Sequence, residues 1–135
     1  MLISSDAVRQ TLESACQGLL YPSDTDAPFE PFFWPEEDPG PLTPQELTRL
    51  AGVAAETPVK TVRVETLFRP VTKQEEWHND AEKMQIKSFE NLLATIKATL
   101  DDVKVYRVGK TTIDVYIVGS TEGGYAGLKT RVVES

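Results

Sequence analysis

An α+β fold is predicted by these 135 residues, with helices packed on a mostly antiparallel sheet as a three-layer α/β/α sandwich. Three observations lead there. Two segments repeat apolar residues at helical spacing: Val8, Leu12, Ala15, Cys16, Leu19 and Leu20, then Phe89, Leu92, Leu93, Ile96 and Leu100. The last third of the chain alternates over three strand-length runs. The links between those runs, Gly109-Lys110 and Glu122-Gly123-Gly124, are short, which makes the runs antiparallel neighbours. The length is that of one domain, so residues 1–135 are expected to fold as a unit.

Residues 5–20 predict the first helix, capped by Ser4 or Ser5. It should stop near Tyr21-Pro22, because the residue before a proline avoids helical backbone. A polar loop spans 22–28. Phe29 to Trp34 then reads as an aromatic strand; Pro31 cannot donate to a ladder, so the strand belongs at an edge. Pro35, Pro39, Gly40 and Pro41 mark a turn region. Thr43-Pro44-Gln45-Glu46 is a helix start, with Thr43 as cap, Pro44 in the first turn and Glu46 completing a capping box. That helix should run to about Gly52. Alternation of Val62, Val64 and Thr66, followed by Leu67 and Phe68, predicts a strand over 60–68. Thr72-Lys73-Gln74-Glu75 repeats the capping pattern and predicts a helix over 72–100, with a break near His78-Asn79-Asp80. Strands follow at Lys104–Val108, Thr111–Val118 and Ala126–Val133.

Composition excludes several classes. No apolar run approaches the ~20 residues of a membrane helix. The N-terminus, Met1-Leu2-Ile3-Ser4-Ser5-Asp6, lacks the basic start and apolar core of a secretory signal, so a cytoplasmic location is expected. One cysteine forbids an internal disulfide, and Cys16, in step with the apolar residues of the first helix, reads as a small buried hydrophobe. The formal net charge of −7 argues against direct nucleic-acid binding, which needs clustered Lys and Arg. It favours a basic protein partner, toward which an acidic surface steers.

No catalytic constellation is legible. There is a single histidine, His78, which reads as a solvated residue at a helix start. Neither a nucleophile elbow, a phosphate loop nor a zinc set is present. The expectation is therefore a binding protein, without enzymatic activity and without a cofactor. Its acidity is unevenly spread. No Lys or Arg occurs from Gln10 to Thr48, while Glu13, Asp24, Asp26, Glu30, Glu36, Glu37, Asp38 and Glu46 do. A second cluster, Glu75, Glu76, Asp80 and Glu82, surrounds Trp77. Such clusters read either as solvated faces or as surfaces that imitate phosphates and pair with arginines. Trp77 reads either as an interface anchor or as a core aromatic at a helix start. Strand pattern persists to Val133, which holds Glu134 and Ser135 near the sheet and offers their oxygens to a divalent metal.

Taken in order, several segments resemble the nuclease A inhibitor family of cyanobacteria and other bacteria. They are Gly18-Leu19-Leu20, the loop from Ser23 to Glu30, Phe33-Trp34, and the C-terminal blocks Val105–Gly109, Ile113–Gly119, Ala126-Gly127-Leu128 and Thr130–Ser135. The likeness covers nearly the whole chain. It implies an α/β/α sandwich like that of class 1 pathogenesis-related proteins. It also implies inhibition of a sugar-nonspecific DNA/RNA nuclease with a ββα-metal active site, by a monomer forming a 1:1 complex. In that family the last residue places its hydroxyl on the nuclease's catalytic magnesium, and acidic loop residues engage the nuclease's arginines. Carried over, Ser135 would face the partner's metal and Asp24 its arginine, with Glu76 and Trp77 completing the contact. The family pattern has Thr at 135, Glu at 24 and Asp at 76, so each chemistry is kept while its reach changes. The competing expectation is a module of the same fold that recognises another protein or a small ligand.

Overall fold

Two apolar surfaces of one sheet organise the chain. The computed structural model describes residues 5–23, 25–37, 40–54 and 56–134, so Asp24 and Ser135 lie outside the described residues. Among the described residues there are four helices, a five-stranded antiparallel sheet and a two-stranded one. In chain order these are α1 (Ser5–Cys16), β1 (Leu20–Tyr21), β2 (Ala27–Pro28), β3 (Glu30–Pro35), α2 (Pro44–Ala51), β4 (Val59–Val62), α3 (Val64–Thr72), α4 (Asp80–Thr99), β5 (Asp101–Val108), β6 (Thr112–Thr121) and β7 (Gly124–Val133). The main sheet has the order β3-β7-β6-β5-β4.

Alternation along the strands sends Val105, Val115, Ile117, Ala126 and Leu128 to one face, where α1, α3 and α4 cover them. Val8 and Leu12 from α1, Phe68 from α3, and Leu92 and Ile96 from α4 are fully buried there. Tyr106, Val108, Tyr116, Val118 and Tyr125 point the other way, and Leu47 of α2 packs on them. The hydroxyls of Tyr125 and Tyr106 donate to the carbonyls of Gly40 (2.6 Å) and Leu42 (3.0 Å), which ties the approach to α2 onto the sheet.

Several elements fall where the sequence places them. β3, with Pro31 inside it, is an edge strand, with β7 as its one sheet neighbour among the described residues. Thr43 caps α2, accepting from the Glu46 N–H at 3.2 Å, and Gly52 ends it in left-handed backbone (φ 70°). Cys16 is buried. The three C-terminal strands are present and somewhat longer than expected.

Three elements differ. The first helix ends at Cys16, not near residue 20: Gly18 is left-handed (φ 78°), and Leu20, expected on the apolar stripe, enters β1 and is 45% exposed. The strand expected over 60–68 stops at Val62, and α3 follows. Val64, Leu67, Phe68 and Val71 are buried at i, i+3, i+4 and i+7, a helical stripe that outweighs the β-branched alternation through Val64. The helix expected to open at Thr72 opens at Asp80. Thr72 cannot act as its cap, because it is the last residue of α3, with helical backbone and its hydroxyl turned back to the Phe68 carbonyl at 2.8 Å, whereas a cap residue is non-helical. Asn79 and Glu82 form the capping box instead, each side chain accepting the other's backbone N–H (2.8 and 3.2 Å).

Candidate functional site

Strand directions bring three loops to one end of the sheet. β5 ends there at Val108, β6 starts there at Thr112, and β7 finishes there at Val133. β4 starts at that end, with Val59 opposite Val108, and runs away from it. α3 then returns the chain, since Leu67 and Pro70 line a groove with Arg107, Val132 and Glu134. Residues 73–79 leave α3 at this same end. The loop between β1 and β2 arrives there as well, because Thr130 of β7 donates to the Ala27 carbonyl at 3.3 Å.

The 73–79 segment owes its shape to a tight turn. The His78 N–H donates to the Glu75 carbonyl at 3.2 Å, closing a turn with Glu76 and Trp77 at its two central positions. The His78 ring latches that turn a second time, its Nδ1 accepting the Glu75 N–H at 3.0 Å. That contact places the proton of the neutral imidazole on Nε2. Trp77 lies against the His78 ring, with centroids 4.2 Å apart, and is otherwise open: it is 73% exposed. Of the two readings of this tryptophan, the core aromatic is thereby set aside. Glu75 is engaged by Lys73 at 3.2 Å, and Glu82 belongs to the capping box. Glu76 is exposed at the turn tip, with no side-chain partner among the described residues. His78, read from sequence as a bystander, thus shapes the turn; its signal was the spacing Glu75-x-x-His78, which a side chain can bridge back to backbone.

The loop after β1 is tied to the end of β7 through Ser23. Its hydroxyl donates to the Thr25 carbonyl (2.8 Å) and accepts the N–H groups of Thr25 (3.3 Å) and Val133 (3.1 Å). One donor and two acceptor sites are all that a hydroxyl has, so Ser23 is fully used. Asp26 adds an acceptor for the Ser23 N–H at 3.4 Å. The Glu134 N–H donates to the Thr111 carbonyl at 2.9 Å, and the Glu134 carboxylate pairs with Arg107. Asp24 and Ser135 are outside the described residues, but the chain on both sides of 24 and the two residues before 135 meet at this corner.

Other candidate groups are dispersed. Among the described residues the acids between 10 and 48 sit on separate elements: Glu13 is on α1, Glu30 starts β3, and Glu36 and Glu46 flank Arg49 at 3.7 and 2.7 Å. The Arg49 guanidinium, hydrogen-bonded to Glu46, holds that carboxyl below the usual carboxylate range. Among the described residues no group of three or more His, Cys, Asp or Glu is arranged to hold a metal ion. No helix among them is long and apolar enough to cross a membrane.

Comparison with curated proteins finds no match. A family model does match, over residues 6–135, and its description is nuclease A inhibitor-like protein. The matched span includes the loop after β1, the Glu76-Trp77 turn and the end of β7. The chain belongs to the nuclease A inhibitor-like family.

Proposed function

We propose that this chain, folding as one domain over 1–135, inhibits a metal-dependent, sugar-nonspecific DNA/RNA nuclease of the ββα-metal type by plugging its active site with the loop-bearing end of the sheet. It acts by binding and not by catalysis, as a monomer in a 1:1 complex, on a three-layer scaffold like that of class 1 pathogenesis-related proteins. The single observation that carries the reading is Trp77: a large ring, 73% exposed at the tip of a doubly latched turn beside an unpaired Glu76. An aromatic anchor with a neighbouring charge is the composition of an interface hot spot. The family match adds the class of partner.

In this mechanism the acidic inhibitor is steered onto a basic cleft, the formal charge of −7 raising the encounter rate. Asp24 pairs with an arginine that otherwise grips substrate phosphate, a geometry suited to bidentate contact. The Ser135 hydroxyl takes a position on the partner's magnesium that substrate oxygen or water would occupy, which removes the Lewis acid from the reaction. Trp77 supplies apolar burial and Glu76 a further charge. Substrate cannot enter while the complex lasts.

A nuclease digestion assay with and without the protein tests this directly. The 135-residue chain should inhibit such a nuclease stoichiometrically. Residues appended after Ser135 should abolish tight inhibition, and Asp24→Ala should weaken it by roughly 2–5 kcal/mol. Undiminished affinity of the extended protein would reject the metal contact, and no inhibition of any nuclease of this type would reject the function.

A further inference from the structure

Arg107 occupies an unusual place for a charged residue. It lies on the helix-covered face of the sheet, in step with Val103 and Val105 and opposite Val115. Its side chain is only 28% exposed and lines the groove with Tyr21, Leu67, Val115 and Val132. The guanidinium reaches out of this groove to the Glu134 carboxylate. Along the same two residues, Val133 is held by Ser23 and the Glu134 backbone by Thr111. The end of β7 is thus gripped from two sides that are far apart in sequence: the loop after β1, and β5 with the 109–111 turn that follows it.

We propose that Arg107 and Ser23 are positioning residues which fix the chain end for partner binding and lock it in register with the loop after β1. The proposal rests on the nuclease-blocking reading for what is positioned, and on the geometry alone for the grip. A partly exposed ion pair contributes little to global stability. Its effect is local instead. Together with the Ser23 hydrogen bond it restrains Val133 and Glu134 at the end of β7, and an error of about 1 Å at a reactive contact is enough to cost about a hundredfold. Ser23 acts on both sides at once, because the hydroxyl that accepts from Val133 also shapes Ser23–Thr25. Movement of either segment is therefore felt by the other. Arg107 stands close enough to Tyr21, the residue that leads into that loop, to oppose electrostatically the rise that burial imposes on the phenol's pKa.

The test uses the full chain in four forms: unaltered, Glu134→Gln, Ser23→Ala and the charge exchange R107E/E134R. Amide hydrogen exchange of the free protein reads the grip without any nuclease. Glu134→Gln should speed exchange at the Glu134 amide, and Ser23→Ala at the Val133 amide, while the thermal midpoint barely moves. Against a nuclease that the unaltered chain inhibits, each single change should raise the dissociation rate by about tenfold, equivalent to ~1.4 kcal/mol. The charge exchange should recover part of that loss. Unchanged exchange and unchanged dissociation in both single variants would overturn the proposal. A nuclease arm that fails for the unaltered chain counts against the inhibitory function, and the exchange arm still decides on the grip.

Discussion

Replacing Trp77 by alanine separates folding from binding more cleanly than any other change at the exposed turn. The ring is 73% exposed and touches only His78 closely, so the folded chain gains little from it. Stability should change by less than about 0.5 kcal/mol, the range of surface substitutions. For a chain of this length that is a shift of under about 2 °C in the thermal midpoint. Binding is another matter. A tryptophan presents about 250 Å², so the 73% left open amounts to roughly 180 Å², worth at most ~4.5 kcal/mol at about 25 cal/mol per Å². Incomplete burial and ordering reduce this, and a hot-spot loss of about 2–4 kcal/mol is expected. The lower figure alone raises the inhibition constant about thirtyfold. The assay is inhibitor titration against a fixed nuclease concentration, paired with thermal denaturation of both proteins. A midpoint lowered by about 5 °C or more would mean that the ring belongs to the core. Inhibition unaltered within about twofold would remove the turn from the interface.

Other positions test the scaffold. Tyr21→Phe removes a hydroxyl that donates to the Leu67 carbonyl at 2.7 Å in α3, one residue from the turn weakened by Pro70, and should cost about 1 kcal/mol in chemical denaturation. Gly127→Ala places a methyl against the Ile117 carbonyl across the β6–β7 ladder and should destabilise by roughly 1–3 kcal/mol, with the midpoint denaturant concentration as readout. Burial raises all four tyrosines, Tyr21, Tyr106, Tyr116 and Tyr125, above their ordinary ionisation range. An acid raised on folding contributes stability that is complete below its unfolded value and fades as pH climbs through the folded one. The protein should therefore lose stability above about pH 10, with tyrosinate absorbance appearing together with unfolding and not before it. The association rate with the nuclease should fall as salt is added while dissociation changes little; a salt-independent association rate would contradict steering.

What could be read from the chain beforehand depended on how local each signal was. Thr43, Pro44 and Gly52 act within one turn of backbone, and α2 is where they put it. The C-terminal strands carry both alternation and turn residues, so their pairing was legible too. Residues 62–68 carried two periods at once. Val62, Val64 and Thr66 alternate, whereas Val64, Leu67, Phe68 and Val71 repeat as a helix, and only the α4 surface waiting beside them decides for α3. The false cap at Thr72 failed for a similar reason, since the helical stripe of α3 carries the backbone through Thr72 and leaves it inside a helix instead of ahead of one. At the candidate site, Trp77 stood between two readings because exposure is a property of the assembled fold. Arg107 and Ser23 fall in the segments that carry the family resemblance, but their pairings were not legible, because their partners Glu134 and Val133 lie 27 and 110 residues away.

The separation between Ser23 and Val133 also bears on when the molecule becomes competent. β7 comes last in chain order among the described strands, yet it occupies the interior of the sheet, between β3 and β6. Until it pairs there, β3 lacks this neighbour and Ser23 has no Val133 to hold. A chain in which β7 has not yet paired therefore lacks the hydrogen bonds by which Thr130 and Val133 hold the loop between β1 and β2. That corner is assembled only when β7 pairs between β3 and β6, so the loop after β1 takes its place late, with the closing of the sheet.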